Sequence, residues 1–477
     1  MSGIDNAYRS NLAAGPDLIL GLGASGYSCA RFLHRQGRDL RVADSRDTAP
    51  FTSDLQLLIP DVELTLGGFG HEQLDGVGRV IVSPGIPSSE EIIQEAMRRD
   101  LPVISDIELF AQVAPAPVIG ITGSNGKSTV TSWLTHVLQM AGFECYAGGN
   151  LGTPALDLLD RVIPDFYVLE LSSFQLERTH SLYLKCGAIL NIGVDHLDHH
   201  GTAGHYRWAK WQLLQHCEYS VLYAPLQATK EFQESVDPDR TNLVFYGESA
   251  GPDIRYHFSE PRSIAADTDT DHGTDPATEP RELWLCRDGE ELLPASQLRV
   301  VGHHNHLNAL AVLAMAESCG VHWPVSYEGL TSFAGLPHRM QWIGQSAGVT
   351  WINDSKGTNV DATVAAARAV STPLVLIAGG DAKNADFSAL ASALQGPDVE
   401  VRHVVLIGTD AHLIATALGD TCPHTRAQSL EDAVMLAARL ASPGDTVLLS
   451  PACASFDMFS NYQERGDAFI AAWKGLT

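Results

Sequence analysis

One stretch of the chain, Ile119-Gly120-Ile121-Thr122-Gly123-Ser124-Asn125-Gly126-Lys127-Ser128-Thr129, carries the residue types that grip a triphosphate. Glycines let successive backbone N–H groups curl around phosphate oxygens, Lys127 reaches the terminal phosphates, and the Ser128 hydroxyl is a ligand for Mg²⁺. The strict spacing G-x-x-x-x-G-K-[ST] is not met, because Ile121 stands where its first glycine belongs. The context restores the reading: a strand pattern over 118–122 precedes the loop and helical spacing over 127–140 follows it.

A second glycine loop, Gly21-Leu22-Gly23-Ala24-Ser25-Gly26, has Asp44 eighteen residues after its last glycine, near the spacing of a dinucleotide fingerprint. This loop suits a pyrophosphate at a helix N-terminus and leaves open NAD, FAD or a nucleotide sugar. A dehydrogenase needs no second phosphate loop, so the pair favours two nucleotide-type ligands, one of them a triphosphate.

Glu170, near the carboxyl end of the strand pattern YVLEL, is placed to hold Mg²⁺, or else to cap the next helix. Asp195-His196-Leu197-Asp198-His199-His200 invites a zinc reading. No thiolate or helical His pair accompanies it, and Mg²⁺ on phosphates needs less. His199 and His200 read as surface residues. Lys356 in NDSKGTN and Lys383 in GGDAKN follow strands, where a cation neutralises phosphate or carboxylate charge, although either lysine taken singly reads better as solvated surface.

The elements that must position these groups are short apolar strands alternating with amphipathic helices, the signature of parallel α/β sheets. Proline-rich VAPAPV at 113–118 and Gly335-Leu336-Pro337 divide the chain. The expected fold is α/β in three domains. Residues 1–113 form a Rossmann-like domain, 114–334 a P-loop ATPase-type domain with an acidic insert at about 249–282, and 335–477 a second Rossmann-like domain. Ligands then sit beyond the carboxyl ends of the strands.

Composition bounds the rest. At 477 residues, 45% hydrophobic and 18% charged, the chain is long enough for several cores. A formal net charge of −26 disfavours nucleic acid and anionic lipid, while small anions remain readable by local cations. Residues 260–282 hold seven acids against two arginines, which reads as a solvated excursion. Eight scattered cysteines lack metal or redox spacing and read as reduced thiols. Without a signal peptide or an 18-residue apolar run, a cytoplasmic protein with no stable membrane association is expected.

GITGSNGKST, LELSSFQLE, LPHR at 336–339, NDSKGTN, GGDAKNADFS and LSPACASFDMF with NYQERG follow one another in an order that resembles the Mur ligase family over nearly the whole chain. The D-glutamate-adding branch is the nearest match, and the Asp-Asn-Pro-Arg signature of the diaminopimelate-adding branch is absent. The resemblance implies an ATP-dependent ligase that joins D-glutamate to UDP-N-acetylmuramoyl-L-alanine through an acyl phosphate, in cytoplasmic peptidoglycan synthesis. It further implies that Gly23, Ala24, Ser25, Ser45, Arg46, Ser83 and Asn150 hold the UDP-sugar. ATP would meet Gly123, Ser124, Asn125, Gly126, Lys127, Ser128 and Thr129, with Asn305, Arg339, Asp354 and Lys356. Glutamate would meet Thr358, Lys383, Ser455, Phe456 and Tyr462.

By the same resemblance, Lys127, Glu170, His196, Lys210 and Lys356 are the catalytic group, acting with two Mg²⁺. Ser128 and Glu170 would ligate one ion, His196 and Lys210 the other. Lysine as a cation cannot ligate Mg²⁺, so Lys210 is expected as a carbamate formed with CO₂. Val194, the His199-His200 pair and Tyr462 depart from the family pattern, the last leaving the fit around glutamate open. Use of L-glutamate, a non-catalytic nucleotide-sugar-binding protein, and an NAD-linked oxidoreductase built on the first loop are the competing readings.

Overall fold

The computed structural model describes residues 15–150, 152–193, 200–259, 262–263, 281–300, 302–383 and 385–476. The first sheet is built from β1 (Asp17–Leu20), β2 (Leu40–Asp44), β3 (Glu63–Leu66), β4 (Arg79–Val82) and β5 (Val103–Ile104), all parallel in the order β3-β2-β1-β4-β5. β1 and β4 are buried along their whole length, as strands covered on both faces must be. Beneath them Asp17 receives the guanidinium groups of both Arg38 and Arg79.

The second sheet contains β6 (Val118–Thr122), β7 (Cys145–Gly149), β8 (Phe166–Glu170), β9 (Leu184–Ile189), β10 (Cys217–Tyr223), β11 (Asn242–Tyr246) and β12 (Ile254–Phe258). A two-stranded ribbon, β13 (Arg262–Ser263) with β14 (Arg281–Glu282), stands apart, and β15 (Trp284–Arg287) with β16 (Glu290–Pro294) extends the sheet antiparallel from β12. The order is β16-β15-β12-β11-β10-β9-β6-β8-β7. The chain therefore does not leave the sheet at 249. β12 interrupts the expected acidic excursion, burying Tyr256, His257 and Phe258.

The third sheet comprises β17 (Gln341–Ser346), β18 (Val349–Asn353), β19 (Leu374–Gly379), β20 (Val401–Ile407), β21 (His424–Arg426) and β22 (Thr446–Leu449), ordered β17-β18-β22-β19-β20-β21. Only the edge pair β17–β18 is antiparallel. One hydrophobic cluster runs from Leu22, Phe32 and Phe110 under the first sheet to Tyr167, Leu169 and Leu184 in the second. Those two sheets accordingly form one compact unit, which reaches Ala295 and includes Leu307–Leu330. The third lies in another, Ser296–His306 with the chain from Thr331.

All eight cysteines are buried free thiols, and burial pushes those of Cys145, Cys217 and Cys453 up to about 12. Among the described residues no helix is long and apolar enough to cross a membrane.

Candidate active site

β6 delivers the chain into the phosphate loop, and the helix Lys127–Met140 leaves it. Gly126, the residue before that helix, has φ +85°, and a Cβ there would lie 2.7 Å from Asn308 Oδ1, so only glycine fits. The loop's apex is held from β9's exit: Asn125 N–H donates to Asn191 Oδ1 at 2.8 Å, and Asn191 Nδ2 donates back to Asn125 O at 3.1 Å. Lys127 Nζ donates to the carbonyls of Gly123 (2.9 Å) and Ser124 (3.0 Å), and the Ser124 N–H donates to Asn191 O at 3.0 Å. Ser124 Oγ meets Tyr206 Oη at 2.8 Å. Thr129 begins the helix with these residues. Asn191, Tyr206 and Asn308 escape a reading by motif, although Tyr206 sits four residues before Lys210 on the helix Ala203–Trp211 and so shares its face.

Register places Glu170 beside the loop. β8 pairs with β6 at Ile121↔Glu170 and with β7 at Gly149↔Glu170. Glu170 is buried, and Ser128 Oγ donates to its Oε2 at 2.7 Å while Asn150 Nδ2 donates to its Oε1 at 2.7 Å. A serine hydroxyl at a helix start with a carboxylate at the neighbouring strand's end is a hard, all-oxygen donor set that fits Mg²⁺. Lys210 is 2% exposed; its Nζ donates to Gly123 O at 2.9 Å and lies 4.6 Å from the centre of the Tyr206 ring. His196 falls outside the described residues, as do Asp195, Asp198 and His199. Among the described residues no group of three or more His, Cys, Asp or Glu side chains gathers for a metal.

His200 is not a surface residue. Its ring is buried, stacked on Phe174 with centroids 5.3 Å apart, and its Nε2 is 2.9 Å from Ser173 Oγ. An imidazole is flat enough to serve as a core aromatic, and its polar edge is met by the serine.

The carboxyl ends of β1, β2 and β4 open into a cleft of about 490 Å³. Gly23, Ala24, Ser25, Ser45, Arg46, Ser83 and Asn150 all line it. Gly26 is required beneath, since a Cβ there would come 1.8 Å from Gly21 O. Arg46 forks onto Asp44, Nε to Oδ1 at 2.8 Å and Nη2 to Oδ2 at 2.7 Å, and Leu22 N–H donates to Asp44 Oδ2 at 2.7 Å. The Arg46 bond holds the Asp44 carboxyl down at about 2. Both oxygens are occupied, Oδ1 by Arg46 and Oδ2 by Arg46 and Leu22, which disfavours the ribose-gripping role an NAD enzyme gives this acid. Gln175 also lines the cleft, brought there by a capping box in which Ser172 and Gln175 satisfy each other's backbone N–H.

In the second unit the candidate residues gather where β18, β19 and β22 end. Asp354 is buried, accepting from Ser450 Oγ (2.7 Å) and Met340 N (3.1 Å), and burial pushes its carboxyl up to about 6. Lys356 Nζ lies 5.7 Å from the centre of the Tyr462 ring, and Lys383 Nζ 4.8 Å from that of Phe456. Thr358 N–H donates to Lys356 O at 2.8 Å, and Ser455 is buried next to exposed Phe456. Arg339 is exposed, and Asn305, in the helix His303–Ser318, groups with this unit. Buried Arg465, which lies in NYQERG without an expected role, joins two of these loops: Nε donates to Ser355 Oγ (3.0 Å), Nη2 to Ser355 O (2.8 Å) and Nη1 to Cys453 O (3.2 Å).

Three family descriptions match the chain in order: Mur ligase MurD-like N-terminal domain over 16–105, Mur ligase middle domain over 121–316, and Mur ligase glutamate ligase domain over 338–453. A UDP-N-acetylmuramoylalanine–D-glutamate ligase of Nitrosococcus oceani is 44% identical over 96% of both chains. One of the same name from Marinobacter nauticus is 41% identical over 96% of this chain and 98% of its own. Among solved structures, UDP-N-acetylmuramate-alanine ligase MurC of Thermotoga maritima shares the fold at 19% identity and TM-score 0.53, covering 97% of this chain and 100% of its own. UDP-N-acetylmuramoyl-L-alanyl-D-glutamate–2,6-diaminopimelate ligase does so at 17% identity and TM-score 0.59, covering 92% of each. With a phosphate loop, a carboxylate beside it and a glycine-loop cleft in one unit, and relatives of this identity over the full length, the chain belongs to the Mur ligase family.

Proposed function

We propose that the protein joins D-glutamate to UDP-N-acetylmuramoyl-L-alanine at the cost of ATP, in cytoplasmic peptidoglycan synthesis. One carboxylate carries the reading. Glu170 is bonded on one oxygen by the phosphate-loop hydroxyl of Ser128 and on the other by Asn150, which lines the cleft, so a triphosphate on the loop and an acceptor in the cleft converge on it. Residues 1–113 would hold the UDP-sugar, 114–334 the ATP and 335–477 the glutamate.

A free carboxylate resists amide formation because hydroxide is a poor leaving group. Transfer of the γ-phosphoryl group to the alanyl carboxylate gives an acyl phosphate. The glutamate amine then attacks the carbonyl, the C–N bond forms, the C–O bond to phosphate breaks, and the ammonium proton leaves. The protein's part is positioning and charge: the loop N–H groups and Lys127 grip the phosphates, and Lys356 adds a second cation. Two Mg²⁺ ions, when bound, neutralise charge on the phosphoryl oxygens. Ser128 and Glu170 suit one, and His196 with carbamylated Lys210 the other. The carbamate reading is supported by the burial of Lys210 against the loop, because a carbamate keeps one N–H for Gly123 O while gaining oxygen ligands.

Phosphate release with ATP, Mg²⁺ and UDP-N-acetylmuramoyl-L-alanine is expected to require D-glutamate, and exclusive use of L-glutamate refutes the choice of enantiomer. Lys210→Ala is expected to be inactive and partly rescued by short carboxylates. A variant as active as the parent excludes the carbamate.

A further inference from the structure

Phe456 is 64% exposed although it stands directly after buried Ser455, on the loop that leaves β22. Its ring faces a lysine: Lys383 Nζ lies 4.8 Å from the ring centre, within the range over which an ammonium is drawn to an aromatic face. The two loops that carry them are fastened together. Asp381 N–H donates to Ala454 O at 3.1 Å and Ala454 N–H to Asp381 O at 3.0 Å, an antiparallel bridge. Lys383 has φ +45°, in the left-handed region, and its N–H donates to Asp381 Oδ1 at 3.1 Å, so the backbone under the side chain is held by an Asx turn.

The charges around this lysine give the contact its meaning. The chain carries 57 acids against 31 lysines and arginines, yet among the described residues no carboxylate pairs with Lys383. The acids of the adjoining turns are spent on backbone. Asp410 Oδ2 accepts from Ala382 N (2.8 Å), Asp457 Oδ2 from Thr409 N (2.9 Å), and Asp381 from Lys383 N itself. A carboxylate partner would hold the ammonium and neutralise it. An aromatic face holds it through the ring quadrupole, adds no net charge, and leaves ammonium N–H groups for an incoming anion.

We propose that Phe456 is a positioning residue whose ring seats the Lys383 ammonium, in place and without a counter-charge, to receive a carboxylate of the glutamate. The assignment rests on the reading that this unit takes the glutamate. It gives the Phe456 side chain a task on the protein's own lysine and not on the substrate, and makes the π face, not the apolar bulk, the property the site uses.

Three substitutions separate face, bulk and charge. Phe456→Leu keeps apolar bulk without a π face, and the KM for D-glutamate is expected to rise about fivefold with the KM for ATP unchanged. Phe456→Trp keeps the face and is expected to stay within about twofold of the parent KM. Phe456→Glu supplies a carboxylate that pairs with Lys383, and is expected to raise the KM at least tenfold, more than Phe456→Leu does. Because the ring is exposed, all three are expected to melt with the parent. The contact has its own readout. In NMR of protein labelled at its seven lysines, the Lys383 ε-CH₂ signal is expected upfield under the ring current and moves back in Phe456→Leu. A parent-like KM in Phe456→Leu, a Phe456→Glu variant no worse than Phe456→Leu, a Lys383 signal that Phe456→Leu does not move, or a variant that melts far below the parent each overturn the proposal. A parent whose phosphate release does not depend on glutamate overturns the functional reading instead, and the Lys383 signal still decides whether the ring seats the lysine.

Discussion

Gly126 and Glu170 state what the phosphate site asks of single residues. Gly126→Ala puts a methyl group both in the left-handed region and 2.7 Å from Asn308 Oδ1. The loop must open to accept it, and the KM for ATP is expected to rise at least tenfold with the melting temperature little changed. Glu170→Gln keeps the size of the side chain but removes the charge that suits a divalent ion. Steady-state phosphate release is expected to fall by about 100-fold or more, and added Mg²⁺ to recover little of it. Both residues announce themselves in the sequence, since a glycine before Lys-Ser and an acid at a strand's end have local meanings. Gln175 does not: Asp106, the carboxylate its side chain donates to, lies 69 positions away. His200 misled for a related reason, because Phe174, the ring it stacks on, lies 26 positions upstream.

At the scale of elements, the turn after β8 is the joint between the first two sheets. Glu108, on the helix Asp106–Ala111, accepts from His180 N (2.7 Å), Ser181 N (2.9 Å) and Ser181 Oγ (2.7 Å). Burial works to raise its carboxyl, yet these donors hold it below the ordinary value. A lowered carboxyl adds stability that is present above its unfolded pKa and lost as pH falls through the folded one. Glu108→Ala is therefore expected to destabilise this unit by about 3 kcal/mol at neutral pH and by less toward pH 4, as read by urea unfolding at each pH. Arg465 plays the matching part in the other unit. Its hydrogen-bond partners are neutral, so Arg465→Met removes a buried cation but frees the Ser355 and Cys453 carbonyls. It is expected to slow turnover more than it lowers the melting temperature, because the loops it joins carry Lys356 and Ser455. Strands and helices such as β6 and Lys127–Met140 follow from apolar period and glycine punctuation. The joints do not, because a glutamate facing three N–H or O–H donors has no local pattern.

Over the whole molecule, the candidate cations are divided between the two units, Lys127 in one and Lys356 and Lys383 in the other. The −26 net charge carried little information about function, since a few lysines, arginines and backbone N–H groups suffice for anionic ligands. The buried cysteines have a practical corollary. All eight are hidden in the cores, and thiols pushed up toward 12 expose almost no thiolate at neutral pH. The folded protein is therefore nearly inert to alkylating reagents, and every thiol that reacts marks an opening of the region around it. The chain comes with eight internal reporters of breathing, spread over both units.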